Sequence, residues 1–256
     1  MDLTPPLLDR TPVISRGQWA KLLAGLAVVF AVFQLLAHAL DSNRGEAGLL
    51  VAGVVIAALM GIECLIFRQS PATAMRLLGL GRPAASGLIV AMGLSILLLA
   101  VIPAYAYWRG ASLAIYPAWS WLIPGLFAQG GIAEETLFRG YLFRHLRHGR
   151  SFWRAAAMAA LPFAFIHLYL FWALPWPVAL ASVLLATIIS FPLAYLFELG
   201  GNTIWAPALL HFTVQGAIKI LELPGDTTMP VLWMAASAAI PYLAFAFRHR
   251  AMTQAT

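Results

Sequence analysis

The sequence predicts an all-α protein: a polytopic bundle of about eight transmembrane helices with both termini in the cytoplasm. Three observations support this fold class. Of the 256 residues, 62% are hydrophobic and only 10% are charged, whereas soluble domains carry about 25% charged residues. The apolar residues fall into stretches of the roughly 20 residues that are needed to cross a bilayer. The lysines and arginines collect in alternate connections, as they do on the cytoplasmic side of membrane proteins.

Eight stretches qualify as spans, and short connections rich in Pro, Gly, Asn or Ser separate them. The spans cover residues 19–40, 47–67, 85–108, 119–143, 152–173, 176–197, 203–223 and 229–247. We therefore expect one transmembrane domain over residues 19–250. A cytoplasmic tail of residues 1–18 precedes it, and a C-terminal tail of residues 251–256 follows it.

The basic residues set the expected orientation. They lie before or at the start of span one and follow spans two, four and eight: Arg10, Arg16, Lys21; Arg68, Arg76, Arg82; Arg144, Arg147, Arg150, Arg154; Arg248, Arg250. The net charge of +6 is thus an orientation signal, and we expect no nucleic-acid partner. The simple loops suggest a multi-pass protein of a bacterial inner membrane.

Span four contains two adjacent carboxylates and an arginine among apolar residues, Glu134, Glu135 and Arg139. An ionisable group inside a bilayer costs about 2.5–3.5 kcal/mol and therefore indicates function. Glu135 and Arg139 are four residues apart on a helix, so they can form an ion pair. Glu134 would face about 100° away, free to act as a general base. The alternative is a structural ion-pair cluster that stabilises span four.

Span five carries a second candidate, His167, one helical turn after Phe163. A polar group surrounded by lipid needs a partner, and the ring of Phe163 can pack against the imidazole. A histidine with a packing role fits this position as well as a functional one.

Span seven carries His211 and Gln215, which are four residues apart and project from one face. Both side chains can donate hydrogen bonds, so they could bind the oxyanion of a tetrahedral intermediate. Interhelical hydrogen bonding is the alternative. At about 1.5 Å per residue, Glu134, His167 and His211 all fall between the midplane and the cytoplasmic side, so one cavity open toward the cytoplasm could hold them.

The other polar residues within or beside the spans are expected to be structural. Glu63 should reach the inner interface, Lys219 should extend toward the outer one, and His145 belongs to a basic loop that should be solvated. Residues 68–83 fit either a short interfacial segment on the cytoplasmic face or a plain loop. Cys64 is the only cysteine, which excludes an intrachain disulfide and a thiolate metal site.

Taken together, the three blocks resemble the CAAX protease and bacteriocin-processing (CPBP, or Abi) family of glutamate-dependent intramembrane proteases. This group includes the type II CAAX prenyl endopeptidases and the lysostaphin-resistance-protein-A-like proteins. The family pattern is EExxxR, then FxxxH, then HxxxN, and this chain has the blocks in the same order on three spans. The resemblance covers residues 120–220, approximately.

The resemblance implies a role for each residue of the three blocks. Glu134 would be catalytic and would activate a water together with His167, while His211 and the residue at position 215 would stabilise the oxyanion. Gln215 stands where the family usually has Asn, so its amide reaches about 1.5 Å further from the backbone. Residues that would support the site are Glu135, Arg139 and Phe163.

The predicted function is an intramembrane endopeptidase that hydrolyses a peptide bond of a membrane-associated substrate, of CAAX type or bearing a leader. Two histidines and a glutamate could also form an open zinc site, but the resemblance favours a mechanism without metal, and we expect no cofactor. The expected partners are membrane lipid and a peptide or protein substrate, and the oligomeric state is left open. The alternative is a non-enzymatic membrane protein, such as a proton-linked transporter or an immunity or scaffold protein, that uses the same buried groups. We see no inverted repeats, which disfavours a transporter.

Overall fold

Helices make up most of the computed structural model, which describes residues 16–41, 45–222 and 228–247. The α-helices are α1 Arg16–Ala39, α2 Gly48–Leu65, α3 Pro71–Leu77, α4 Ala85–Arg109, α5 Trp119–Leu126, α6 Arg144–Arg147, α7 Phe152–Ile166, α8 Leu170–Ala173, α9 Trp176–Leu199, α10 Trp205–Ile220 and α11 Met229–Ala239. Two 3₁₀ segments, His167–Tyr169 and Ile240–Ala246, follow α7 and α11. Most of the predicted N-terminal tail, the whole C-terminal tail, and Arg10, Arg248 and Arg250 lie outside the described residues.

The predicted span four is one continuous helix whose winding changes along its length. After α5 it continues as a π-helix over Phe127–Ala133, takes α-helical form at Glu134 and Glu135, and becomes π-helical again over Thr136–Phe143 before α6. We call residues 119–147 the motif helix. π-helical turns are rare and often occur at functional sites. An α-helical period was expected over these residues, and the π-helical winding was not predicted.

The all-α polytopic fold predicted from the sequence is confirmed. Among the described residues, six helical stretches are long and apolar enough to cross a membrane: Gly17–Ala39, Gly48–Leu65, Ala85–Arg109, Phe152–Ala173, Trp176–Leu199 and Met229–Ala246. Of the other two predicted spans, residues 119–143 lie in the motif helix before α6, and residues 203–223 correspond to α10, which has 16 residues and ends at Ile220, three residues before the predicted boundary. The count of eight crossings and the cytoplasmic termini remain predictions.

The two helices that carry most of the motif residues are largely buried within the bundle. All eight residues of Thr136–Phe143 are buried, as are most residues of α10. The outer helices instead expose large apolar side chains, among them Leu35, Ile89 and Ile96. These exposed residues match a lipid environment, whereas the embedded polar residues are enclosed by protein.

Glycines let other segments approach the motif helix closely. A Cβ on Gly125 would overlap the carbonyl oxygen of Gly45, and one on Gly48 would overlap the carbonyl oxygen of Gly125. A Cβ on Gly140 would overlap the carbonyl oxygen of Leu78, just after α3. Such small residues are typical of close helix contacts in membranes, and here they fix the motif helix against α2 and α3.

Residues 68–83 contain the short helix α3, so they are not a plain loop; their place at the interface stays a prediction. The hydroxyl of Ser70 accepts a hydrogen bond from the backbone N–H of Thr73 at 3.3 Å and so caps α3. Pro71, at the first position of the helix, needs no hydrogen bond for its nitrogen.

A two-stranded antiparallel ladder joins the segments next to the two motif-bearing helices. β1, Ala114–Ile115, precedes the motif helix, and β2, Leu221–Glu222, follows α10. The backbone N–H of Tyr116 also donates to the carbonyl of Ile220 at 2.8 Å. The start of the motif helix is thereby held beside the end of α10.

Candidate active site

The polar residues of the three sequence blocks lie around one cavity. Its volume is about 630 Å³, and Glu134, His167, His211 and Gln215 all line it. Much of the remaining lining is apolar and comes from the surrounding helices: Ile102, Leu170, Val178, Leu185, Ile189 and Trp233. The cavity therefore combines a small polar region with a larger apolar one, as binding sites for organic ligands commonly do.

The cavity extends in a direction that the sequence analysis did not anticipate. Along α10 its lining runs from His211 through Lys219, and it continues to Glu222 in β2. That end of α10 is opposite to the basic residues after the motif helix, which mark the expected cytoplasmic side. We expected a cavity that opens toward the basic, cytoplasmic side. The structure corrects this expectation, because the cavity extends toward the opposite side of the bundle.

Glu135 lies at the centre of the polar cluster. Its Oε1 accepts hydrogen bonds from Nη1 of Arg139 at 3.0 Å and from Nδ1 of His211 at 2.6 Å. All three side chains are at least 95% buried. Nη2 of Arg139 donates to the hydroxyl of Ser190 at 3.3 Å. These charge-assisted bonds join the motif helix, α9 and α10.

Phe163 touches the polar cluster from α7. The guanidinium of Arg139 lies 4.6 Å from the centre of its ring, close enough for a cation–π contact. The same ring packs edge-on against the imidazoles of His167 and His211, at centroid distances of 4.9 and 5.9 Å. The contact expected between Phe163 and His167 is present, and Phe163 contacts Arg139 and His211 as well.

Hydrogen bonds to fixed acceptors determine which histidine nitrogens can act in the cavity. Nδ1 of His167 lies 2.6 Å from the carbonyl oxygen of Phe163. A carbonyl oxygen only accepts, so Nδ1 carries the proton and Nε2 of neutral His167 keeps a lone pair. Nδ1 of His211 likewise faces a carboxylate, that of Glu135, so Nε2 of His211 can donate only when the ring is an imidazolium.

Glu134 is the more accessible of the two carboxylates. Its side chain is 16% exposed, and its Oε2 lies 3.8 Å from Nε2 of His211, just beyond hydrogen-bond range. The expected difference between the two glutamates is present, because Glu135 is buried in the ion pair while Glu134 lines the cavity. However, Glu134 and Glu135 do not serve separate partners, since each faces one nitrogen of the same His211 ring.

The side-chain amide of Gln215 is positioned differently from the other polar groups. Its Nε2 is buried and has no hydrogen-bond partner. The amide lies against Gly130 of the first π-helical segment, where a Cβ would overlap it. A buried N–H without an acceptor is costly to maintain, which marks this amide as a potential ligand contact.

The described residues do not fit a conventional metal centre. Within residues 16–41, 45–222 and 228–247, no group of three or more His, Cys, Asp or Glu side chains could hold a metal ion. A zinc site normally has three or four protein ligands at about 2 Å. Glu134, His167 and His211 share the cavity without forming such a set.

A second polar cluster, which the sequence analysis missed, lies at the other end of the motif helix. Nη2 of Arg144 is 2.7 Å from Oε1 of Glu63, and Nε2 of His145 is 3.7 Å from the same atom. The prediction that Glu63 reaches the interface is wrong, because its side chain is fully buried. His145 is not solvated either: it packs between Phe67 and Tyr141, and burial lowers the pKa of His145 to about 3.

This second cluster clamps α2 to the motif helix through residues that are distant in sequence. Ser190 and Gly130, the other two site residues that were missed, also act through contacts between helices. Spacing along one helix provides no signal for such contacts. The one available signal for the second cluster was the i, i+4 spacing of Tyr141 and His145. It indicates that the motif helix continues beyond the first sequence block.

Comparison with known families gives one match in this region. The model described as "Type II CAAX prenyl endopeptidase Rce1-like" matches residues 114–217. This interval includes every residue of the three sequence blocks, from Glu134 to Gln215. A comparison with curated proteins found no match.

Proposed function

We propose that this chain, whose residues 114–217 belong to the Rce1-like family of type II CAAX prenyl endopeptidases, hydrolyses a peptide bond with a water that a glutamate and a histidine activate. The three motifs predict the same family. In general terms, this family assignment makes the chain a CAAX-type intramembrane protease that acts on a membrane-associated peptide or protein. The finer proposal concerns which groups move the protons and which hold the developing charge. A bacterial inner membrane remains our expected location.

In the proposed reaction, a water lies in the cavity between the carboxylate of Glu134 and Nε2 of His167. Glu134 takes a proton from this water as its oxygen attacks the carbonyl carbon of the substrate. The lone pair on Nε2 of His167 accepts the second O–H of the water and orients it. When the C–N bond breaks, the proton held by Glu134 passes to the leaving amine. General base catalysis of this kind contributes about 10²- to 10⁴-fold to the rate.

The oxyanion of the tetrahedral intermediate is proposed to lie against α10. Nε2 of His211, as an imidazolium, and Nε2 of Gln215 would both donate to it. Glu135 supports this protonation state, since its Oε1 is 2.6 Å from Nδ1 of His211. With Glu134 and Glu135 ionised, Arg139 and an imidazolium at position 211 balance the charge of the cluster. Each such donor contributes about 10²- to 10³-fold.

The observation that carries this proposal is the meeting of Glu134, His167, His211 and Gln215, from three separate helical segments, around one cavity of about 630 Å³. An ion-pair cluster with a purely structural role needs Glu135 and Arg139. It does not need a second carboxylate, a second histidine and a glutamine that line the same cavity.

The proposal is tested with purified protein in proteoliposomes and prenylated CAAX-type peptides, with product masses measured over time. We expect the wild type to release shorter peptides and Glu134→Gln to lower kcat by about 10²- to 10⁴-fold. Glu222→Gln is the matched control, because it removes a different carboxylate from the same cavity, and it should retain most of the activity. Equal activity of Glu134→Gln and the wild type would refute the mechanism, and an intact substrate with folded wild type would favour the non-enzymatic alternative.

A further inference from the structure

The side-chain amide of Gln215 occupies the space that a side chain at Gly130 would take. A Cβ built on Gly130 would overlap Nε2 and Cδ of Gln215 and would lie 2.9 Å from its Oε1. All three of the nearest atoms belong to this one amide. The two residues lie on different helices, the motif helix and α10, and Gln215 also lines the catalytic cavity.

The neighbouring glycine has a different environment. A Cβ on Gly131 would lie 2.9 Å from the carbonyl oxygen of Ala208 and 3.3 Å from the ring of Phe127. Gly131 therefore permits close approach of the backbone of α10, whereas Gly130 permits the approach of a side-chain amide. Adjacent glycines in one π-helical segment thus serve separate contacts.

We propose that Gly130 is a positioning residue for Gln215, and that it provides the room that the longer amide needs to present its N–H to the oxyanion. An Asn amide would end about 1.5 Å closer to the backbone of α10 and would not need this space. Glycine at 130 and glutamine at 215 therefore act as a matched pair. This inference rests on the proposed oxyanion role of Gln215.

Alanine at position 130 separates this role from a general effect on folding. The backbone of Gly130 is helical and is not in the left-handed region, so alanine meets no backbone strain there. The overlapping atoms are the end of a flexible side chain. The fold can accept Gly130→Ala by moving the amide of Gln215 away from its position, which is the change that the proposal requires.

The test is a double-mutant cycle of Gly130→Ala and Gln215→Asn, measured as kcat and KM in proteoliposomes. With Gln at 215, we expect Gly130→Ala to lower kcat by about 10- to 100-fold with little change in KM, because the displaced donor acts in the transition state. With Asn at 215, the same substitution should change kcat by less than about twofold. Gly131→Ala is the matched control and should have the same effect in both backgrounds. An equal loss from Gly130→Ala in both backgrounds would overturn the proposal.

A second readout does not depend on cleavage. The unfolding midpoint in SDS is measured for the same four proteins: wild type, both single variants and the double variant. A change from Gly130→Ala that depends on the residue at 215 supports the packing pair, and one that does not overturns it. If the wild type cleaves nothing, the proposed function fails, and the unfolding cycle still decides whether Gly130 and Gln215 pack as a pair.

Discussion

Glu135→Gln should destabilise the protein strongly, although it hardly alters the shape of the side chain. Oε1 of Glu135 accepts hydrogen bonds from both Arg139 and His211, whereas its buried Oε2 has no partner. A glutamine can therefore keep its carbonyl oxygen at the Oε1 position and its NH₂ at the Oε2 position. The substitution removes the negative charge and leaves both acceptor contacts geometrically possible.

The expected cost follows from the burial of Arg139. Its side chain is 1% exposed, so without Glu135 the guanidinium would be a buried charge whose direct counter-charge is gone. Removing one partner of a buried ion pair costs about 3–5 kcal/mol. The neutral amide would also be a poorer acceptor for His211, so catalytic activity should fall together with stability.

The matched control is the same substitution in a more exposed ion pair. Nε of Arg147 lies 2.6 Å from Oε1 of Glu198, and Arg147 is 38% exposed. Exposed pairs contribute about 0–1 kcal/mol, so Glu198→Gln should have a small effect. The free energy of unfolding is measured by SDS titration in mixed micelles, followed by tryptophan fluorescence. If Glu198→Gln proved as costly as Glu135→Gln, the assignment of Glu135 as the shared buried anchor would be refuted.

Two further predictions concern the contacts of the motif helix with its neighbours. Gly140→Ala should destabilise the protein by about 1–3 kcal/mol, because the new Cβ meets the backbone carbonyl of Leu78. Gly93→Ala is its control, since a Cβ there would meet no atom of a neighbouring segment within 4 Å; similar unfolding midpoints for the two variants would contradict the close approach. Burial and the nearby Arg144 hold the pKa of His145 at about 3, below its ordinary value of 6.5, so the unfolded chain binds a proton there at a higher pH than the folded one. The stability contributed by neutral His145 is therefore complete above pH 6.5 and is lost as the pH falls toward 3, by up to about 1.4 kcal/mol per pH unit. His145→Asn should therefore flatten the pH profile of the unfolding free energy in this window. His148 is exposed, so His148→Asn is the control and should leave the profile steep. An unchanged profile in His145→Asn would show that the His145 ring does not contribute to the pH dependence of stability.

The general architecture and the polar blocks were predictable because each depends on local pattern. Apolar stretches of span length predicted the helices, and the i, i+4 spacing predicted that Glu135 could pair with Arg139, as it does at 3.0 Å. The catalytic roles of Glu134, His167, His211 and Gln215 remain proposals.

What could not be predicted depends on contacts between helices. No local sequence pattern indicates a role for Ser190, yet its hydroxyl accepts a hydrogen bond from Arg139. Glu63 lies 81 residues from Arg144, and only their packing turns an expected interfacial residue into a buried ion pair. The role of Gly130 likewise depends on an amide carried by another helix.

The π-helical winding of the motif helix has a consequence for how the site depends on chain length. A π turn holds more residues than an α turn, so deletion of one residue within Phe127–Ala133 would allow that stretch to rewind with the ordinary period. The residue removed would be the extra one of the π turn, so the residues after it would keep nearly the same angular position around the helix axis. Glu134 and Glu135 would then still face His211. Loss of one codon from α5 would instead turn everything after it by about 100° and would put the acidic pair out of phase with the histidines.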